Sequence, residues 1–501
     1  TIFIGIAGGT GSGNIDASTA DTLRTALEKV GVTVNPTLWD FYTVGAGKDY
    51  ARSKSGTVAK SSEVTAEVPW DVYTDEVKDS VAQYGDAAIV TLSRVGGEGA
   101  DLSYGEVNYL ALDENEKAML QNVAEMKKNG TVKKTILLIN SANALQVDFL
   151  KNNEYDIDAA LWIGDVGISG INAVAEILTG KVNPCGKLAE TWPLTYADIP
   201  SAADFATRRK TVEYREGLYI GYRYFTTAEK AVRFPFGYGM SYTTFAYSDM
   251  VADEQGVSLT VTNTGSVAGT EIVQLYVAKK NSELFRPAKE LKGFARVTLA
   301  PGEKQRITIT LDDKAFRFWN VKADRWDIEG GEYELLVGAS VEDIRLCEKI
   351  SVHGTATVHP YEDRNLDCHY KGDVLHVSDA DFEKLLGHPI PNGKTKIDRN
   401  LTLGELNHAR SPLGWLVWLV LTILLDASYK RGKPDLNILF QYNMPLRALA
   451  KMTNGAISMG MVDGIVMELQ GFWILGLVRV IYEAIKNVVL NAQMEKRLRG
   501  A

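Results

Sequence analysis

The sequence is poor in the residues that staple a chain, ligate metals or grip anions. Its three cysteines, Cys185, Cys347 and Cys368, are far apart and odd in number, which excludes a disulfide framework. Its six histidines have neither HExxH nor paired-ligand spacing, so no metal and no cofactor are expected. Basic residues are outnumbered, 54 Lys and Arg against 63 Asp and Glu, for a net charge of −9. That balance argues against a nucleic-acid binder, whose affinity rests on basic patches facing phosphates, and suits a neutral substrate. Long apolar runs are scarce too. Leu413–Leu425, broken only by Gly414 and Thr422, would span about 20 Å as a helix, short of the roughly 30 Å of a hydrocarbon core. A packed or interfacial helix is expected there rather than a membrane span, with membrane contact left open.

What the chain has in quantity is ordinary globular material, 45% hydrophobic and 23% charged. At 501 residues it is too long for one core, so two to four domains are expected. It opens at Thr1, inside an apolar run from Ile2 to Ile6, with no signal peptide ahead of it. A cytoplasmic location is expected, with export left open, because an upstream portion is expected to have been cut away or to sit on another chain.

Residues 1–210 alternate between two kinds of periodicity. Apolar runs at Ile2–Ile6, Ala87–Leu92, Thr135–Ile139 and Ala159–Ile163 read as strands. Helical spacing lies between them, as with Leu23, Leu27 and Val30. Asp113 predicts a helix N-cap, with Glu116 completing a capping pattern and the helix running to about Lys128. This alternation predicts a doubly wound α/β sheet. Residues 211–245 form a bridge rich in aromatics and glycine. Such rings could stack on sugars; the favoured reading is that they weld two domains together. From 246 to 352 the apolar period becomes two, at Val257, Leu259 and Val261, then Val273, Leu275 and Val277, then Ile307, Ile309 and Leu311, then Tyr333, Leu335 and Val337. With Asn263-Thr264-Gly265 and Pro301-Gly302 as turns, this predicts an antiparallel β-sandwich. An irregular linker is expected over 353–408 and a helical extension over 409–501, including one helix from Met459 to about Leu490.

Two glycine-rich loops carry the candidate chemistry. Gly8-Gly9-Thr10-Gly11-Ser12-Gly13 follows the first strand, but Asn14 stands where a dinucleotide fingerprint has glycine, and no Gly-Lys-Ser/Thr is present. A substrate-facing or structural loop is therefore preferred to a nucleotide site. The second loop, SRVGGEGA from Ser93 to Ala100, puts Glu98 between glycines after a buried-looking strand. Loops at the carboxyl ends of parallel strands are where open α/β sheets bind ligands. Glu98 is the candidate catalytic group, and Asp101 could share its site.

The bridge makes the chain recognisable. Tyr214 to Phe225 and Phe234 to Phe245 resemble the segment joining the second and third domains of glycoside hydrolase family 3, the β-glucosidase and β-xylosidase family. The Ser93–Asp101 loop, Trp162-Ile163-Gly164, Leu178 to Pro184 with Gly186-Lys187-Leu188, Glu290 to Phe294 and Leu299 to Glu303 are similar as well. The resemblance implies an α/β-sandwich domain, a fibronectin type III-like β-sandwich and a helical C-terminal extension. It also implies a retaining glycosidase acting on β-linked glucosides or similar sugars. Such an enzyme uses a nucleophile and an acid/base carboxyl about 5 Å apart. The resemblance assigns the acid/base role to Glu98, loop shape to Gly96, Gly97, Gly99 and Asp101, and an approach to the aglycone to the loop with Gly11 and Ser12. The nucleophile is expected on a TIM-type barrel, upstream or on a partner chain, so this chain is expected to be catalytically incomplete. Leu102 stands where the family often has Arg, and Cys185 where it often has Ser. The rival expectation is a non-catalytic module that binds glycan or protein.

Overall fold

The computed structural model describes residues 2–3, 19–48, 50, 67–94, 110–200, 202–203, 212–362, 364–391, 395–430 and 435–499. Four strands, β1 (Ile2–Phe3), β2 (Ala88–Arg94), β3 (Thr135–Ser141) and β4 (Ala159–Trp162), form one sheet in the order β1-β2-β3-β4. Every pairing in it is parallel. Residues 4–6 of the expected first strand lie outside the described residues.

The sheet is covered on both faces. Helices α1 (Leu23–Lys29) and Gly170–Leu178 pack on one side with Ile89 and Leu138. Helices α2 (Pro36–Thr43), α3 (Asp75–Ser80) and α4 (Glu114–Lys128) pack on the other with Val90, Leu92, Leu137 and Ile139. Burial on both sides is why β2 reads as an unbroken apolar run instead of an alternation. Among the described strands the order rises without the reversal that a doubly wound sheet has, because each crossover steps one place in the same direction.

The second body is an antiparallel sandwich. One sheet orders Glu290–Leu299, Gly269–Ala278, Gly331–Gly338 and Ile344–Val352; the other orders Lys304–Thr310, Gly256–Asn263 and Phe245–Asp253. The alternating residues named from the sequence fill the space between them. Leu311 is the exception: it lies past the end of its strand and is half-buried.

The stretch expected to be a linker folds over the bridge. Its helices Asp367–Lys371 and Asp379–Leu386 belong to a compact layer. Leu366 and Val374 there share a core with Tyr219, Tyr224 and Phe225 of the bridge. His369 is fully buried, with Nε2 2.9 Å from the Arg215 carbonyl oxygen.

Leu413–Leu425 lies within the helix Pro412–Lys430. The single helix expected from Met459 is instead a hairpin of Met459–Leu469 and Trp473–Arg499. Gly471, at φ +101°, supplies the turn. Gly464 and Gly476 let the two arms touch: a Cβ on Gly476 would come within 2.7 Å of the Gly464 carbonyl oxygen. Among the described residues no helix is long and apolar enough to cross a membrane.

Candidate functional site at the rim of the parallel sheet

β1 and β2 are neighbours and run parallel, with Ile2 opposite Ile89 and Phe3 opposite Val90. The chain therefore leaves both strands at the same edge of the sheet. The segment after β1 carries Gly11 and Ser12, and the segment after β2 carries Gly97, Glu98, Gly99 and Asp101. All six of these site residues lie outside the described residues, as do Gly9, Gly13, Gly96 and Leu102. What the structure describes is the frame on either side of residues 95–109.

The frame is strongest where β2 ends. Arg94 and Glu116 are both buried and joined by two bonds, Nη1 to Oε1 at 2.6 Å and Nη2 to Oε2 at 2.8 Å. Arg94 also donates to the Ser93 carbonyl at 2.8 Å and to the Ala111 carbonyl at 2.7 Å. One guanidinium thus holds the chain before and after residues 95–109. Glu116 in turn receives the Asp113 amide at 2.9 Å, while its own amide donates to the Asp113 carboxylate at 2.7 Å. The expected capping box is present, and its glutamate serves a second purpose as the counter-ion of Arg94. Burial pushes the Asp113 carboxyl above the usual range, and the nearby Glu116 charge adds to that.

The next outlet, after β3, is stitched by neutral groups. Ser93 Oγ donates to Asn140 Oδ1 at 2.8 Å, and Asn140 Nδ2 donates to the Gly164 carbonyl at 2.7 Å. Trp162 Nε1 donates to the Ser141 carbonyl at 2.6 Å. The ends of β2, β3 and β4 are therefore fixed to one another by side chains as well as by the ladder.

Glu67 lies behind this rim. The Tyr42 and Tyr73 hydroxyls reach its Oε1 at 2.8 and 3.0 Å, and the Val68 amide reaches it at 2.6 Å. Burial outweighs these three bonds and raises its carboxyl to about 7. Asn115, next to Glu116 on α4, donates to the Glu67 carbonyl at 3.1 Å, so this buried acid is tied to the same helix as the Arg94 clamp.

The bridge fixes the rim to the sandwich. Trp162, Trp192, Phe234 and Tyr238 form a row of rings with centroids 5.9, 6.0 and 5.1 Å apart. Tyr222 stacks on Phe236 at 4.5 Å and meets Tyr276 of the sandwich edge-on at 6.2 Å. Gln274 donates to the carbonyls of Gly237 and Ala339 at 3.0 and 2.7 Å. These rings are spent on one another.

Arg94, Glu67 and the second role of Glu116 escaped the sequence reading. Arg94 stands just before the glycines, yet nothing in the sequence pairs it with a residue 22 positions on. Among the described residues no His, Cys, Asp and Glu cluster could hold a metal ion.

Layer, rim and sandwich define a two-body unit in which a parallel sheet offers loops at one edge while a welded β-sandwich supports it. Residues 4–242 match the glycosyl hydrolase family 3 C-terminal domain, and residues 271–341 match a fibronectin type III-like domain. Through these the chain carries the C-terminal domain of glycoside hydrolase family 3. It is similar to thermostable beta-glucosidase B of Acetivibrio thermocellus, at 38% identity over 72% of this chain and 43% of that protein. It is also similar to an exo-alpha-(1->6)-L-arabinopyranosidase of Bifidobacterium breve, at 38% identity over 48% of this chain and 32% of that protein. Among solved structures, beta-glucosidase 3B from Thermotoga neapolitana superposes with a TM-score of 0.61 at 30% identity, covering 70% of this chain and 50% of that one. The chain spans less than half the length of these curated relatives.

Proposed function

We propose that this chain is part of a retaining glycoside hydrolase acting on β-linked glucosides or similar sugars, with Glu98 as its acid/base. The nucleophile comes from a TIM-type barrel, upstream or on a partner chain. The observation that carries this reading is the family 3 domain match over residues 4–242, which contains both rim segments. The parallel pairing of β1 with β2, the strands that precede those segments, supports it. In this reading Gly97, Gly99 and Asp101 shape the acid's loop, while Gly11 and Ser12 approach the aglycone. The acid protonates the departing glycosidic oxygen, then as carboxylate takes a proton from the water that resolves the glycosyl intermediate. Docking against the barrel would desolvate Glu98 and bring it near the nucleophile's charge, and both effects raise its pKa toward neutrality.

The test uses the assembled enzyme, barrel included. Glu98→Ala is expected to slow poor leaving groups by about 100-fold or more and good ones far less, in line with the usual worth of general acid catalysis. Azide is expected to restore turnover in part by attacking the intermediate. Equal losses for both leaving groups, without rescue, would remove Glu98 from the role. Glucoside binding by this chain alone, with no assembled activity, would favour a binding module.

A further inference from the structure

The helices Pro412–Lys430 and Trp473–Arg499 leave much of their apolar surface uncovered. Leu416, Val420 and Ile423 on the first and Ile474, Ile481 and Ile485 on the second are all half or nearly half exposed, or more. On the first helix these positions are four and three residues apart and on the second seven and four, so on each they share one face. The two helices begin side by side: the Trp473 indole donates to the Arg410 carbonyl at 3.2 Å, and the Arg410 amide donates to the Leu469 carbonyl at 2.8 Å. Trp415 and Trp473, both about half exposed, stand at that shared end. A contiguous apolar face of this kind calls for a cover.

Charge selects the cover. Residues 409–501 hold eleven Lys and Arg against six Asp and Glu, in a chain whose whole balance is 54 against 63. The partners of four of those acids are defined. Asp463 pairs with Arg399 and Arg479, Glu483 pairs with Lys486, Glu468 accepts from Ser411, and Asp435 caps the helix that follows it. The last turns of Trp473–Arg499 carry Lys496 and Arg497, both exposed. A second copy would bring another net-positive helical part to the same contact, which like charge disfavours. Among the described residues no helix is long and apolar enough to cross a membrane. We propose that the helical C-terminal part lies flat on an anionic lipid surface, with its apolar faces at the acyl boundary and its basic side chains among the headgroups.

Flotation of the full chain with vesicles tests this. Binding to phosphatidylcholine vesicles containing about one-third phosphatidylglycerol is expected to exceed binding to phosphatidylcholine alone by about tenfold or more, and to weaken as salt rises. Ile474→Asp with Ile481→Asp should abolish it, and because both side chains are exposed the fold should survive, as circular dichroism can check. Lys496→Glu with Arg497→Glu should erase the preference for anionic vesicles while leaving the apolar faces unchanged. No flotation, or equal binding to neutral and anionic vesicles, overturns the proposal. So does a dimer in native mass spectrometry that Ile474→Asp dissolves in the absence of vesicle binding, which would make a second copy the cover.

Discussion

Arg94 and Glu116 form a buried, two-pronged ion pair at the mouth of the sheet, with contacts of 2.6 and 2.8 Å. The same guanidinium grips the chain on either side of residues 95–109, through the Ser93 and Ala111 carbonyls. The pair does not need to be worth much relative to an apolar substitute, since both ions were taken out of water to make it. Its value lies in geometry: a planar fork fixes the chain on both sides of residues 95–109 at once.

Breaking the pair from one side should cost far more than removing both partners. Glu116→Leu leaves Arg94 charged and buried, and about 3–5 kcal/mol of stability should be lost. Arg94→Met with Glu116→Leu should be markedly milder. Chemical denaturation of the two variants, compared with the parent, checks the order. Similar losses for single and double variants would show that the clamp acts by something other than paired charge.

Glu67 should give stability a pH dependence opposite to that of most carboxylates. Its ordinary value of 4.5 is raised to about 7 on folding. Between those values the folded chain holds a proton that the unfolded chain has released. Stability should therefore be fully present below about pH 4.5 and decline as the pH rises toward 7, by about 3 kcal/mol at most. Glu67→Gln, which cannot ionise, should flatten this part of the profile. Urea midpoints at pH 5 and pH 7.5 for parent and variant give the comparison, and an unchanged slope would refute it.

The weld should be sensitive to a single methyl group. Gly237 sits at φ +80°, and a Cβ there would lie 2.1 Å from Gln274 Oε1. Gly237→Ala combines a strained backbone with displacement of the Gln274 amide from its two carbonyl partners. A loss of about 2–4 kcal/mol is expected from those two causes together. Calorimetry should show the melting temperature falling, and protease cleavage within 212–245 should quicken.

Trp192 is fully buried between Trp162 and Phe234. Trp192→Ala should cost about 3–5 kcal/mol, the usual range for an aromatic emptied from a core. Trp192→Phe should recover most of that. Failure of the phenylalanine variant to recover would mean that the indole's shape, more than its bulk, is what the seam uses.

Local rules account for most of what the sequence made legible. Asp113 and Glu116 are three residues apart, so their capping box needs only the helix's own geometry. Val257, Leu259 and Val261 alternate because one side of their strand faces the sandwich core. The hairpin at Gly471 was hidden because Ile465 to Leu477 is apolar on both sides of the break, and periodicity cannot see a turn whose flanks look alike. The packing of Leu366 against Tyr219 was hidden for another reason: contacts across about 150 positions leave no local mark. Of the candidate site, the frame around Arg94 was unread, while Glu98, which lies outside the described residues, was singled out by its flanking glycines, its place after an apolar strand and the family resemblance.

The contact of Tyr222 and Gly237 with Tyr276 and Gln274 has a bearing on how this unit can be handled. Anyone separating the α/β layer from the sandwich at residue 245 would keep Tyr222 and Phe236 but discard Tyr276 and Gln274, leaving oily aromatic faces bare to water. Transplantation into another enzyme therefore has to move both bodies together, or supply a replacement partner with the same two side chains.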